Sequence, residues 1–183
     1  MVQFPTLGTL AVERALDRAD LVARPVADAL AAFGSADRVA VAPIDPRLAD
    51  TADFCAAYRV PLAASANCVV VTGKRAGESR WAGVVILATT RADVNGAIRR
   101  RLDVRKLSFA PMAEAVERSG MEYGGITPIG LPADWPILID AAVVAAGPVV
   151  IGAGIRGAKI VLDGALLAAL PGAEVIKDLA TPV

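Results

Sequence analysis

Met121-Glu122-Tyr123-Gly124-Gly125-Ile126-Thr127-Pro128-Ile129-Gly130-Leu131-Pro132 places three glycines and two prolines within twelve residues. Regular helix or strand does not persist through such a run, because glycine frees the backbone while proline fixes φ and removes a donor. The stretch reads as a shaped loop. Its prolines freeze the turns, its glycines allow close backbone approach, and its peptide N–H groups are free to point into a pocket. A tight connection with no ligand is the plain alternative.

Just before the loop, Pro111 at a first-turn position and the spacing of Met112, Ala115 and Val116 predict a short helix ending near Gly120. After it come three β-like pieces, Pro136 to Asp140, Pro148 to Ile151 and Ala158 to Leu162, and a helix over 164–170 closes the chain. Further upstream, Asp93 is a good N-cap for a helix reaching about Leu102. Cys68-Val69-Val70-Val71 is the apolar centre of a strand over 66–72, Gly73 to Arg80 is a polar hairpin connection, and Trp81 to Thr89 is the returning strand. A helix over 48–58 starts near Asp50 or Thr51, and Arg38 to Ile44 is a strand closed by Asp45-Pro46. Helical recurrences run from Thr9 to Phe33, broken or kinked at Pro25 and ended by Gly34. Strands joined mainly by hairpins, with helices grouped before and between them, predict an α+β domain built on a mixed, strongly curved sheet. One domain over 1–183 suits the length.

Composition narrows the chemistry. The chain has no histidine, which excludes Ser-His-Asp and Cys-His hydrolysis, histidine general-base catalysis and imidazole-ligated zinc. Chemistry must come from backbone dipoles, carboxylates, lysine, tyrosine, hydroxyls, a bound cofactor or the substrate itself. Cys55 and Cys68 form no Cys-x-x-Cys unit, so neither a structural zinc site nor a disulfide framework is indicated. Apolar runs are short and interrupted, none approaching the roughly 18 to 20 residues of a membrane span. Met1 leads into the chain without an export signature, so a soluble, cytoplasmic protein is expected.

Basic and acidic residues number 19 each, so a nucleic-acid contact would need a local patch. One segment offers it: between Arg91 and Lys106 six basic residues, Arg99, Arg100, Arg101, Arg105 and Lys106 among them, face only Asp93 and Asp103. A solvated helix face is the alternative. Gly152-Ala153-Gly154-Ile155-Arg156-Gly157 has dinucleotide-fingerprint spacing, but Lys159 to Leu162 reads as strand where that motif needs a helix. A turn whose glycines face a pocket is the better reading. Asp140 ends the apolar run Ile137-Leu138-Ile139 and either orients a ligand or terminates the strand. Asn67 is a pocket corner or a strand entry.

Read in order, the segments Ser65 to Val71, Asp93 to Lys106, Phe109-Ala110-Pro111, Ser119 to Pro128, Ile137 to Asp140 and Ile151 to Gly154 resemble the YbaK-like aminoacyl-tRNA editing domains, relatives of the prolyl-tRNA synthetase editing insertion. The resemblance covers about Thr51 to Leu170, the first fifty residues more loosely, and its most specific match is the G-x-x-x-P loop Gly124 to Pro128. It implies a mixed β-barrel wrapped by helices, and a freestanding deacylase that hydrolyses the ester of mischarged tRNA. The expected partner is the acceptor end of aminoacyl-tRNA; no cofactor, metal, membrane or DNA is expected. In this reading the amides of Gly124, Gly125, Ile126 and Thr127 polarise the ester and place water, which suits a site without histidine. Ile126 and Pro128 shape the pocket, Asn67 and Asp140 orient substrate, Gly152 and Gly154 line the pocket, and Arg99 to Lys106 contact the acceptor stem. The family usually carries a lysine where this chain has Asn67, associated with positioning the ester or the terminal adenosine's phosphate. Asn67 hydrogen-bonds but brings no charge. The alternative is therefore an inactive module of the same fold that binds aminoacyl-tRNA or a nucleotide-like ligand.

Overall fold

Cys68–Val71 lies inside a strand of ten residues in the computed structural model of the protein, which describes residues 4–183. In chain order the strands are β1 (Glu13–Arg14), β2 (Ala40–Pro43), β3 (Ala66–Arg75), β4 (Glu78–Leu87), β5 (Thr90–Ala92), β6 (Leu107–Phe109), β7 (Ile137–Asp140), β8 (Pro148–Gly152), β9 (Ala158–Asp163), β10 (Ala173–Ile176) and β11 (Ala180–Pro182). The α-helices are α1 (Arg24–Ala32), α2 (Thr51–Tyr58), α3 (Arg99–Leu102), α4 (Met112–Ser119) and α5 (Ala141–Ala145).

β3 and β4 pair from Ala66–Leu87 to Arg75–Glu78. Only Ala76 and Gly77 turn between them, at φ +50° and +87°. Positive φ at both central positions matches the right-handed twist of a hairpin, so the connection expected over 73–80 is mostly ladder. Around this hairpin one sheet runs β10-β7-β4-β3-β6, and a second runs β1-β2-β9-β8. The first is mixed, with β7 parallel to both β4 and β10; the second is antiparallel throughout. A parallel bridge from Ser65 to Val150 joins them. The result is the expected α+β class with one mixed and one antiparallel sheet, and the barrel is not closed.

Period-2 alternation distributes the strands among the cores. Val41, Ile160, Leu162, Val85, Ile137 and Ile139 fill the space between the sheets beneath Val26 and Leu30 of α1. Their neighbours Ala40, Ala42 and Val161 turn to the opposite face and pack on Phe54 of α2. Val84, Ile86 and Leu138 meet Ile98, Leu102 and Leu179 on a third face. Strands buried on both faces are apolar throughout, which is why their sequences show runs in place of alternation.

Two elements depart from the sequence expectation. Of the helix expected over Thr9–Phe33 only Arg24–Ala32 is α-helical. Pro25 occupies its first turn, where the missing N–H is not needed, and so starts the helix instead of breaking it. Upstream, Leu10 packs with Phe54 and Ala15 packs beside Val39, two separate cores that one helix face cannot serve. Nor does the chain close on a helix over 164–170. That segment is a 3-10 helix, Gly164–Ala169, capped by Asp163, and β10 and β11 follow it. Among the described residues no helix is long and apolar enough to cross a membrane.

Candidate functional site

The glycine loop starts where Gly120, at φ +66°, ends α4. It is then tied to the β8–β9 turn. Glu122 N donates to Gly154 O at 2.8 Å, Gly154 N to Gly125 O at 2.7 Å, and Gly125 N to Glu122 O at 2.9 Å within the loop. Arg156 completes the seat: its amide donates to Glu122 Oε2 at 2.7 Å, and its guanidinium reaches Pro46 O at 3.2 Å, Tyr123 O at 3.3 Å and Asp50 Oδ1 at 3.4 Å. Asp50 is the N-cap residue of α2 but makes no side-chain cap bond, leaving its carboxylate for Arg156. The loop's rigidity thus comes from a bonded partner turn as well as from its prolines.

At the seam between the sheets this loop forms one wall of a cleft of about 490 Å³. Tyr123, Gly124 and Ile126 face Asn67 and Cys68 of β3, Gly152 of β8, Lys159 of β9 and Thr51 of α2 across it. The amides of Gly124 and Ile126 enter no hydrogen bond of the protein among the described residues. Gly124 sits at φ +78°, a left-handed conformation that glycine takes without penalty. Asn67 Oδ1 accepts from Thr51 Oγ1 at 2.8 Å, which fixes the amide and leaves Nδ2 as a free donor. Burial pushes the Cys68 thiol up to about 12, so it is not a thiolate nucleophile near neutral pH.

Lys159 is the feature that sequence reading missed. It is 9% exposed, donates from Nζ to Ala49 O at 2.9 Å and lies 5.1 Å from the centre of the Phe54 ring. Burial pulls its pKa below the usual lysine value, with Cys55 opposing that shift, Arg156 adding to it and Asp50 opposing it. Among the described residues that line the cleft it is the one cation. The signal was there: a lysine in the otherwise apolar strand Ala158-Lys159-Ile160-Val161-Leu162.

The other expected residues separate. Gly125 packs against the Ile155 backbone, with its amide already used. Thr127 is fully buried; its amide meets Met121 Sδ at 3.5 Å, and its Oγ1 is the one buried side-chain polar atom among the described residues without a partner. Pro128 borders a different, apolar cavity of about 530 Å³ with Phe33 and Leu131. Gly154 lies under Ala23, the N-cap residue of α1, and Val26 of that helix, and holds the loop instead of lining the cleft. Asp140 lies outside the cleft. It is buried, caps α5 by accepting from Ala142 N at 2.8 Å, and accepts from Ala180 N at 2.9 Å through its other oxygen, so both oxygens serve the fold. Of the basic segment, Arg99, Arg105 and Lys106 border a groove next to the cleft, Arg101 pairs with Glu174, and Arg100 lines neither.

Comparison with known proteins agrees with this architecture. A solved structure described as a candidate trans-editing enzyme for prolyl tRNA synthetase superposes with TM-score 0.71 at 22% identity, covering 84% of this chain and 94% of that one. A hypothetical protein superposes with TM-score 0.74 at 22% identity, covering 86% and 100%. A described signal transduction protein from Marinobacter aquaeolei VT8 contains the fold within a longer chain, with TM-score 0.56 and 16% identity over 86% of this chain and 30% of that one. No curated protein matches. The family model for the aminoacyl-tRNA editing domain matches residues 45–170, which include every residue that lines the cleft, and the chain belongs to that family.

Proposed function

We propose that the protein is a trans-acting deacylase that hydrolyses the ester of mischarged aminoacyl-tRNA in the cytoplasm, with residues 1–183 working as one unit. The observation that carries this reading is the pair of unpartnered amides, Gly124 and Ile126, on the rim of a cleft. Water adds to the ester carbonyl carbon, and the carbonyl electron pair moves onto oxygen between these two N–H donors. The acyl–oxygen bond to the ribose then breaks, and the ribose oxygen takes up the proton that the attacking water loses. Fixed donors of this kind are each worth about 100- to 1,000-fold in turnover, and they require no histidine. Asn67 Nδ2 orients the ester, while the Lys159 ammonium supplies the positive charge that Asn67 lacks, entering from β9. Editing by a second pocket is needed because one methylene gives a synthetase only about 1 to 3 kcal/mol of discrimination.

A panel of mischarged tRNAs incubated with the purified protein tests this, the readout being amino acid released. The expected result is turnover of one or a few members, lowered more by Asn67→Ala than by Lys74→Ala. No release above a Gly124→Val control across the panel would sink the enzyme reading. One observation favours a second reading, a binding module without catalysis: Asp50, the one carboxylate among the described residues that line the cleft, is held by Arg156. Charged tRNA retained intact, with affinity falling steeply in salt, would favour that module.

A further inference from the structure

We propose that Leu131 is the wall between the cleft and an apolar chamber behind the glycine loop, and that this one side chain limits the length of the acyl group the cleft accepts. The assignment deepens the deacylase reading and rests on it for the identity of the acyl group. The chamber, about 530 Å³, lies between the C-terminal end of α1 and the loop, with Ala32, Phe33, Pro128, Leu131, Ile137 and Leu170 among its lining residues. None of the described residues that line it is charged.

Strand register brings cleft and chamber onto one sheet face. Val70 of β3 stands opposite Gly83 of β4, and Gly83 stands opposite Ile137 of β7. Residues in register share a face and adjacent strands lie about 4.8 Å apart, so Val70 and Ile137 point the same way about 10 Å from each other. Val70 lines the cleft and Ile137 lines the chamber. The residue between them has no side chain, and Leu131 takes the space. A Cβ added at Gly83 overlaps Leu131 Cδ1, and lies 3.9 Å from Leu131 Cγ and 3.6 Å from the Sγ of Cys68, which lines the cleft. A glycine inside an otherwise apolar central strand marks such a close approach. At this level of the sheet one leucine stands between the two spaces.

The wall is anchored at both ends. Leu131 and Ile126 pack on the cluster of Val70, Trp81, Ala115 and Trp135, in which the two tryptophan rings stack with centres 5.2 Å apart. Trp135 N donates to Pro132 O at 3.0 Å, so the turn that follows Leu131 ends on this stack. On the other side Gly130, at φ +87°, sits against the Pro25 backbone at the head of α1, where no Cβ fits. A leucine packed between two such anchors does not swing aside for a longer ligand. An acyl side chain that reaches Leu131 overlaps it, and the chamber stays out of reach.

The test uses adenosine 3′-esters whose aminoacyl side chain lengthens one methylene at a time, from alanine through 2-aminobutyrate and norvaline to norleucine, with the uncleavable 3′-amides as binding probes. In Leu131→Ala, and to a smaller extent in the milder Leu131→Val, kcat/KM for the longer esters should rise relative to the alanine ester by roughly 10- to 200-fold per methylene of new room. The double variant G83A/L131A puts a methyl group back between cleft and chamber, so its selectivity should return toward wild type. Phe33→Leu enlarges the chamber without opening the wall and should leave the length profile unchanged. Turnover with an unaltered length profile in both Leu131 variants, an equal shift in Phe33→Leu, or no return in the double variant would each overturn the role of Leu131 and leave the deacylase reading standing. Amides whose affinity shifts with length in the Leu131 variants, with no ester cleaved by any of the proteins, would support the wall and remove the deacylase reading. Neither cleavage nor amide binding would overturn both.

Discussion

A single methyl group tests how the loop is seated. A Cβ added at Gly152 meets the Gly125 carbonyl oxygen first, and falls 2.7 Å from the Ile126 carbonyl oxygen and 3.0 Å from the Gly125 carbonyl carbon. Gly152 ends a strand outside the left-handed region, so the whole effect is steric. To reach an ordinary contact near 3.4 Å the loop has to retreat by at least 0.7 Å (3.4 − 2.7) at the Ile126 oxygen and by more at the Gly125 oxygen, and the Ile126 amide moves with it. Overpacking of this size costs about 2 kcal/mol, which lowers the melting temperature of a chain of this length by ~6 °C. A donor displaced by most of an ångström costs about 100-fold in turnover. Gly152→Ala should therefore show both losses in a thermal melt and a deacylation assay. Gly157→Ala is the matched control: a Cβ there meets nothing within 4 Å, and both readouts should stay at wild type. Full turnover and unchanged melting in Gly152→Ala would refute the reading that β8 holds the glycine loop in place.

Other perturbations separate the roles of neighbouring residues. Thr127→Val replaces a buried hydroxyl without a partner by a methyl group, so stability should hold or rise by up to about 1 kcal/mol with activity kept; a loss above that in chemical denaturation would reveal a hidden partner. Because burial lowers the Lys159 pKa, the unfolded state binds more protons between that lowered value and the ordinary 10.5. Stability should rise with pH over this interval while activity that needs the ammonium falls, and Lys159→Met should remove both slopes in paired melting and kcat/KM profiles. Arg156→Ala frees the Asp50 carboxylate and the Tyr123 and Pro46 carbonyls, so turnover should fall about tenfold with ~1 kcal/mol of stability. Arg156→Lys should not restore it, because one ammonium cannot span three acceptors; recovery in that variant would show that charge alone suffices.

The central hairpin, the Asp93 cap and α4 were legible because each has a local cause: Asp93 accepts from Gly96 N at 2.9 Å and Ala97 N at 3.1 Å, and Gly120 takes the left-handed closing position. The segment before Pro25 was not, since its apolar residues divide between two cores that exist only once the sheets have formed. Neither were β10 and β11. They are short, partly polar strands whose partners lie far upstream, and no local period marks them. The loop was recognisable from its glycines and prolines, yet which amides remain free depended on bonds to a turn thirty residues away. Asp140 was read as a ligand contact because a carboxylate at a strand end looks alike whether it meets substrate or backbone. Lys159 was overlooked for the converse reason: its strand looked like plain core.

Asp140 also bears on where this fold can be cut. The family match stops at residue 170, but Asp140 grips Ala180, Leu179 is fully buried, and β10 covers the outer edge of β7. A fragment trimmed to the family boundary would carry an orphaned carboxylate oxygen and a bare, flat strand edge of Ile137-Leu138-Ile139, an invitation to intermolecular pairing. Residues 173–182 are a clasp, and the recognisable unit is smaller than the unit that can be excised.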